Sequence, residues 1–496
     1  MRVRIVGKSA AIAVALGVAL TASAAGFVTY EECGAKGDGK ADDLPAIVRA
    51  HEIANAKGLP VRANDKATYY IGGRDLTAKV MTDTDFGTAK FVIDDRQVER
   101  SGAAVFALAP SAASYAVTGI KTLRRDMTSL GVKLPARSLL LLEDANRRQY
   151  RRTGDANMTN SGQPQCELLI VGADGTLDSK TEVVQDMAVV TKARAFPIDA
   201  RRLTVSGGFF KTIANRESVA KTVPYKGFRR GISITRSNVL LKDVEHAVVD
   251  QIDGICPYSG FVNINKAAEV TVSNCVFFAR RKTSHGTYDI TLSEAVDVRF
   301  VNCREATDIR DNGNFWSFGS NYCRDLTFDG CTFGRFDAHA GVHNATIRNS
   351  RLVQVNAVGT GRFLVENTRV EGYVFSWFRS DYGSNWDGDF IVRNCVWTPN
   401  AGKESAFIAM GNDGSHDYGY PCRMARRILV DGLTVDNALP QPFTWFRTFS
   451  RESAPDAPYP YLAPTEIVLR NVKIVRPVEP VLSNTTNFLA GTRIER

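Results

Sequence analysis

Six times between residues 272 and 395 the chain places an apolar residue two positions ahead of Asn or Gly, then follows that turn-former with Cys, Ser or Thr. The segments are Val272-Ser273-Asn274-Cys275, Phe300-Val301-Asn302-Cys303, Phe328-Asp329-Gly330-Cys331, Ile347-Arg348-Asn349-Ser350, Val365-Glu366-Asn367-Thr368 and Val392-Arg393-Asn394-Cys395. Weaker relatives are Leu241-Lys242-Asp243-Val244, Val430-Asp431-Gly432-Leu433 and Leu469-Arg470-Asn471-Val472. The small residue recurs at 275, 303, 331, 350, 368 and 395, so the spacings are 28, 28, 19, 18 and 27 residues. A fixed period of this size marks a solenoid, whose units bury their apolar surface only by stacking on neighbours. Short alternating pairs before each turn, such as Val296 and Val298 or Leu326 and Phe328, have strand periodicity. Asn and Gly tolerate the left-handed backbone of a sharp corner, and an Asn amide can bond backbone locally or in the next coil. The repeat predicts an all-β chain, a single-stranded right-handed parallel β-helix, with the turn residues stacked in a ladder.

Arg2, Arg4 and Lys8, an apolar run from Ala10 to Leu20, and Thr21-Ala22-Ser23-Ala24 have the order of a secretory signal peptide, assigned to residues 1–25. The mature chain is then expected to be secreted or periplasmic. No later segment has the long uncharged stretch of a spanning helix. The formal net charge is +9. Export argues against nucleic acid as the partner, whereas a positive field concentrates an anionic polymer. There are nine Cys. The four in the repeat read as small buried hydrophobes, although export would permit disulfides.

An exposed solenoid end needs a cover. Ala41-Asp42-Asp43-Leu44-Pro45-Ala46-Ile47 supplies an acidic cap and an early Pro, with Ile47, Ala50, Ile53 and Ala54 on one face, and predicts an N-terminal capping helix. Residues 27–496 read as one β-helix domain with irregular insertions near 144–164 and 401–422. Leu139–Leu142 and Leu168–Val171 read as buried strands.

The stretch Gly34-Ala35-Lys36-Gly37-Asp38-Gly39-Lys40-Ala41-Asp42-Asp43, with Ala46-Ile47 and then Tyr69-Tyr70-Ile71, resembles the opening of pectate-lyase-like (pectin lyase fold) right-handed parallel β-helix proteins. The resemblance extends over residues 27–496 and is poor over 95–200. It implies a carbohydrate-active protein. That superfamily holds polysaccharide lyases, glycoside hydrolases, epimerases and tailspikes, so the chemistry must come from the site.

Aligning residues by their offset from the corners puts a dense polar set on one long face. Tyr288, Asp289, Asp311, Asp337 and His339 are the candidate catalytic groups. Arg281, Lys282, His285, Arg310, Trp316, Arg335, Trp377, Arg379, Asp381 and Trp386 are the candidate substrate contacts. Two reactions fit these residue types. In β-elimination from an acidic, uronate-containing polysaccharide, Arg neutralises the carboxylate while Tyr or His moves protons. In glycoside hydrolysis, paired Asp carboxylates act across the bond, since coils about 4.8 Å apart can present either required separation. A third reading is a non-catalytic glycan binder. Each residue also has a structural alternative: Asp337 as a turn cap, His339 as a satisfied histidine, the tryptophans as packing. No cofactor is expected. Asp308 to Asn314 is acidic enough for calcium, but it does not follow the helical calcium-loop pattern. His339 and His343 lack the intervening Glu and the helix of a zinc motif. The expected partner is an anionic polysaccharide or oligosaccharide. Association of like copies is left open.

Overall fold

The computed structural model describes residues 26–98, 102–153, 161–216, 228–250, 258–278, 288–310, 316–399, 404–448, 456–485 and 487–496. Residues 1–25, expected to be a signal peptide, lie outside them. Thirty-five strands join one sheet system whose pairings are parallel, wound as a right-handed parallel β-helix.

Each coil contributes to three ladders. The first runs through Val239–Lys242, Ala268–Ser273, Val296–Val301, Arg324–Asp329, Val342–Arg348 and Gly359–Glu366. The second runs through Phe209–Ile213, Glu245–Val249, Val276–Phe277, Arg304–Glu305 and the first half of Thr332–Ala340. The third runs through Ile232–Ile234, Ser259–Asn265, Tyr288–Ser293, Trp316–Asn321 and the second half of Thr332–Ala340. This explains the uneven repeat. In the coil before Cys331, residues 306–315 separate the second strand from the third. In the next coil Thr332–Ala340 serves both ladders as one bent strand, and the spacing drops from 28 to 19 residues.

The corner between the first and second ladders is the predicted one. Asn274, Asn302, Gly330, Asn349, Asn367 and Asn394 have φ of 52°, 53°, 67°, 53°, 48° and 49°. Their amides tie each coil to the next: Asn274 N donates to Val301 O at 2.9 Å, Asn302 N to Asp329 O at 2.8 Å and Asn349 N to Glu366 O at 3.1 Å. Side chains add rungs, with Asn349 Nδ2 donating to Asp329 Oδ1 at 2.9 Å and Asn274 Nδ2 to Asp243 Oδ1 at 3.3 Å. Cys275, Cys303, Cys331 and Cys395 point into the lumen, buried and unbridged. A second left-handed column, Glu269, Asp297, Asp325, Asn344 and Gly361, stands near the start of the first ladder. Its mixed residue types gave no sequence signal.

The capping helix spans Leu44–Lys57 and buries Leu44, Ala46, Ile47, Ala50, His51 and Ala54. The Asp43 carboxylate does not cap the helix. It accepts from Lys36 N at 2.6 Å and Gly37 N at 3.1 Å, fixing the loop before it.

Residues 115–197 hold a separate four-stranded antiparallel sheet of Tyr115–Ala116, Ser138–Gln149, Gln163–Val171 and Lys192–Pro197. Leu139, Leu141, Leu168 and Ile170 pack on Ala268 and Val296 of the coils, while Leu140, Leu142, Leu169 and Val171 face the sheet's own core. Burial on both faces is why these strands read as unbroken apolar runs. The two ends of the stretch expected as an irregular insertion at 144–164 continue this hairpin, where Asp144 pairs with Gln165 and Gln149 with Gln163 across a register shift, and residues 154–160 lie outside the described residues. Part of the 401–422 excursion is also coil, because Ser405–Met410 is a buried strand beside Val374–Phe378. Its six residues are all buried, so no alternation marked them.

The left-handed corners make a stability prediction. A Cβ at Gly330 would lie 2.3 Å from Asn302 Oδ1, so Gly330→Ala combines a clash with the left-handed penalty of about 1–2 kcal/mol. Asn349→Ala meets only that penalty and the loss of two exposed side-chain hydrogen bonds, one donated to Asp329 and one accepted from Asn367. Equilibrium denaturation should rank Gly330→Ala below Asn349→Ala, and both below the parent. Equal midpoints for all three would contradict the ladder.

Candidate functional site

Outward residues of the third ladder stack in two polar columns. Asn263, Thr291 and Gly319 form one, and Asn265, Ser293 and Asn321 the other. The residues between them, Ile264, Leu292 and Ser320, are buried, and inward Phe318 stacks on Phe336 at 5.3 Å. Ala338 pairs with Ser320, so Asp337 follows Gly319, and Asp337 pairs in register with Asn356.

At Asp337 the face becomes a charged network. The carboxylate is fully buried. It accepts from Arg335 Nη2, from Asn356 Nδ2 at 3.1 Å, and from Arg379 Nη1 at 3.0 and 3.3 Å. Arg379 also forks onto Asp381, with Nη2 to Oδ2 at 2.6 Å and Nε to Oδ1 at 3.0 Å. Arg152 arrives from the inserted sheet, its Nε 2.9 Å from Asp381 Oδ2. The Tyr382 ring lies beneath both guanidiniums, 5.6 Å from Arg152 and 5.9 Å from Arg379. His339 Nδ1 stands 2.7 Å from Asn321 Oδ1, and its ring meets Tyr382 edge-on at 5.5 Å. Gly319 gives the Tyr288 ring its place, because a Cβ there would fall 2.7 Å from Tyr288 Cε1.

Charge and burial set the protonation states. Burial opposes ionisation of Asp337, but Arg335 and Arg379 outweigh it and hold the carboxyl down at about 2. Burial opposes Asp381 too, and Arg379 again keeps it ionised. Burial, then Arg379, pushes His339 down to about 3. Burial and the charge of Asp337 push Tyr288 up to about 12. Near neutral pH the site therefore holds ionised carboxylates, a protonated phenol and a neutral imidazole. With Nδ1–H donated to Asn321, His339 keeps its lone pair on Nε2. Neither Asp337 nor Asp381 can hold a proton for an acid step.

The structure thus brings together Tyr288, Arg335, Asp337, His339, Arg379 and Asp381. Trp377 stands in register with Asn356, half-buried, its ring 5.6 Å from Tyr373. Three expectations are corrected. Asp289 points into the lumen, where its Oδ1 is 3.3 Å from His246 Nδ1, because alternation fails at the adjacent buried pair Asp289 and Ile290. Trp386 is fully buried, donating Nε1 to Gly361 O at 3.0 Å and packing on Phe363, so it is core and not a sugar platform. Arg310 lies outside the network and pairs with Asp308 on an exposed turn. Asp311, Arg281, Lys282 and His285 lie outside the described residues, as does the Trp316 side chain. Arg152, Gly319 and Tyr382 were missed. Arg152 belongs to the basic run Arg147 to Arg152, but nothing local says that this hairpin reaches Asp381. Among the described residues no three His, Cys, Asp or Glu side chains converge as metal ligands, and no helix is long and apolar enough to cross a membrane.

The chain is a right-handed parallel β-helix protein with the pectate-lyase-like fold. No protein-family model matches it, and no curated protein matches its sequence. Among solved structures it is similar to the tailspike gp61 of Pseudomonas phage phi297, at 12% identity and a TM-score of 0.53, covering 95% of this chain and 84% of that one. It is similar to the tailspike gp49 of Pseudomonas phage LKA1, at 13% identity and a TM-score of 0.53, covering 94% and 84%. The Gp54 tailspike of Acinetobacter baumannii bacteriophage AP22, solved in complex with A. baumannii capsular saccharide, aligns at 9% identity and a TM-score of 0.50, covering 92% and 76%. At these identities the likeness is one of fold.

Two predictions follow from the charges. Asp337→Asn leaves Arg335 and Arg379 buried against a neutral amide, which should lower stability by about 3–5 kcal/mol; Asp308→Asn, on its exposed turn, should change the unfolding midpoint little. His339 and His343, both half-buried, are held near 3, with desolvation the largest cause. Because these folded values are depressed, the contribution is complete above the unfolded value of about 6.5 and is lost as pH falls toward about 3. Asp337 adds a later loss, between its unfolded value of about 3.9 and about 2. Buried Glu167 and Glu305, both pushed up to about 7 by burial, act in the opposite sense as pH falls from about 7 toward their unfolded value of about 4.3. The histidine contribution is therefore read as a difference: between about pH 6.5 and about 3 the parent should lose stability relative to His343→Gln.

Proposed function

We propose that this protein binds an acidic, uronate-containing polysaccharide along the third-ladder face and cleaves it by β-elimination, after export to the periplasm or the cell exterior. The observation that carries this reading is the protonation pattern around Asp337. Three guanidiniums, Arg152, Arg335 and Arg379, meet two carboxylates, Asp337 and Asp381. That leaves a local excess of positive charge beside a phenol that keeps its proton and an imidazole that keeps its lone pair.

In this scheme Arg379 is the guanidinium placed to meet the uronate carboxylate and stabilise the enolate that forms when the adjacent carbon loses its proton. His339 Nε2 takes that proton. Its basicity is low in the free protein because of burial and Arg379, and an incoming carboxylate opposes the second effect and raises it. Tyr288 gives a proton to the leaving glycosidic oxygen. Asp337 touches no substrate; it positions Arg335 and Arg379. The charge of +9, which stays positive without Arg2, Arg4 and Lys8 of the segment removed on export, favours an anionic polymer, and the tailspike solved with capsular saccharide supports glycan binding on this fold. Hydrolysis by paired carboxylates is less well supported, since it needs one protonated carboxylic acid with a raised pKa. Both Asp337 and Asp381 are held ionised.

The deciding experiment incubates the protein with uronate-containing and neutral polysaccharides and follows the ultraviolet absorbance of an unsaturated uronate together with new reducing ends. Both signals should rise with an acidic polymer. Tyr288→Phe should lower turnover by about 10²-fold or more with polymer binding retained, and Arg379→Ala should lower turnover and weaken binding together. Gly319→Ala, which displaces the Tyr288 ring, should follow Tyr288→Phe. Reducing ends without unsaturation would establish hydrolysis instead, and binding with neither signal over a broad panel would make the protein a glycan binder.

A further inference from the structure

About two coils from Asn321, the same face ends in a pocket that the charged network does not use. Its floor is Thr235 and Asn265 of the third ladder with Lys266 at the corner, and its wall is Phe196 and Pro197 of the inserted sheet. Pro110, Ala112 and Ser114 close the remaining side, and the cavity measures about 240 Å³. Asn265, Ser293 and Asn321 are in register, so the pocket lies about 10 Å along the groove from the partner of His339.

Its chemistry differs from that at Arg379. Lys266 is already matched by Glu294, Nζ to Oε2 at 2.8 Å. No other cationic side chain lines the cavity. The Asn265 Oδ1 atom is buried and has no hydrogen-bond partner among the described residues. A buried carboxamide oxygen left without a donor is unfavourable by about 1–3 kcal/mol, and the lining offers no donor that reaches it. Opposite stand an aromatic ring and two prolines, which suit the C–H face of a sugar ring, as in other sites that combine an apolar wall with a few fixed polar groups.

We infer that this pocket is a second subsite of the groove, taking a neutral sugar residue whose hydroxyl donates to Asn265 Oδ1 and whose ring lies against Phe196. The inference rests on the third-ladder face being a glycan groove. It makes the substrate a mixed polysaccharide, with an acidic residue at Arg379 and a neutral one farther along the same chain. It also gives the inserted sheet a role in selecting the polymer, since that sheet supplies the pocket wall.

Ligand-observed NMR on the full chain tests this with the methyl glycosides of glucose, galactose, N-acetylglucosamine and glucuronic acid. At least one neutral glycoside should bind. Its affinity should fall by about tenfold in Asn265→Leu and be abolished in Ala112→Trp, which fills the cavity. Arg379→Ala should leave it intact. Glucuronide binding should show the reverse pattern, and its survival in Asn265→Leu and Ala112→Trp establishes that those variants are folded. The inference is overturned if no neutral glycoside binds, or if Asn265→Leu and Ala112→Trp bind it as the parent does. Glucuronide binding indifferent to Arg379→Ala would overturn the proposed lyase site and leave the subsite standing.

Discussion

Every feature of this protein depends on the hydrogen bonds between one coil and the next. A coil by itself leaves the edges of its three strands unpaired and its apolar side chains half covered. Only a neighbour in parallel register satisfies both. The corners must then repeat at the same height in successive coils, and the left-handed residues at Asn274, Asn302, Gly330, Asn349, Asn367 and Asn394 meet that requirement. Where a coil is shortened, as at Thr332–Ala340, the corner stays in register and only the connection between ladders changes.

Register also creates the site. Asp337 and Asn356 lie on neighbouring strands, Arg379 follows the strand Val374–Phe378, and Arg152 follows the inserted strand Ser138–Gln149, yet the fold brings their polar atoms within hydrogen-bond distance of a common carboxylate pair. Once buried, the carboxylate of Asp337 is tolerable only because Arg335 and Arg379 face it. Burial first, and the charges of this network second, set the protonation of Tyr288 and His339 nearby. The proposed elimination rests on this combination of excess positive charge, a neutral phenol and a neutral imidazole. The inserted segment reaches this face at two places, through Arg152 beside Asp381 and Phe196 beside Asn265.

The outcome for individual residues shows where sequence reasoning reaches. The Asn corners and the lumen cysteines were legible because a left-handed turn and a narrow lumen restrict residue type. The site was legible in part. Rough offsets from the corners gathered Tyr288, Asp337, His339, Arg379 and Asp381 on one face, and the structure places these side chains near one another. The same offsets failed for Asp289, where the strand breaks its alternation, and for Trp386, whose indole enters the lumen.

The amino-acid sequence by itself determined the solenoid, its corners and the approximate wall on which polar residues collect, because each follows from local backbone preference and a short apolar period. The tertiary structure alone decided which side of the wall each side chain takes, that Arg152 and Phe196 come to it from the inserted sheet, and which groups carry protons. Those properties depend on contacts between residues far apart in the chain, and on the burial that such contacts impose, neither of which has a local signature.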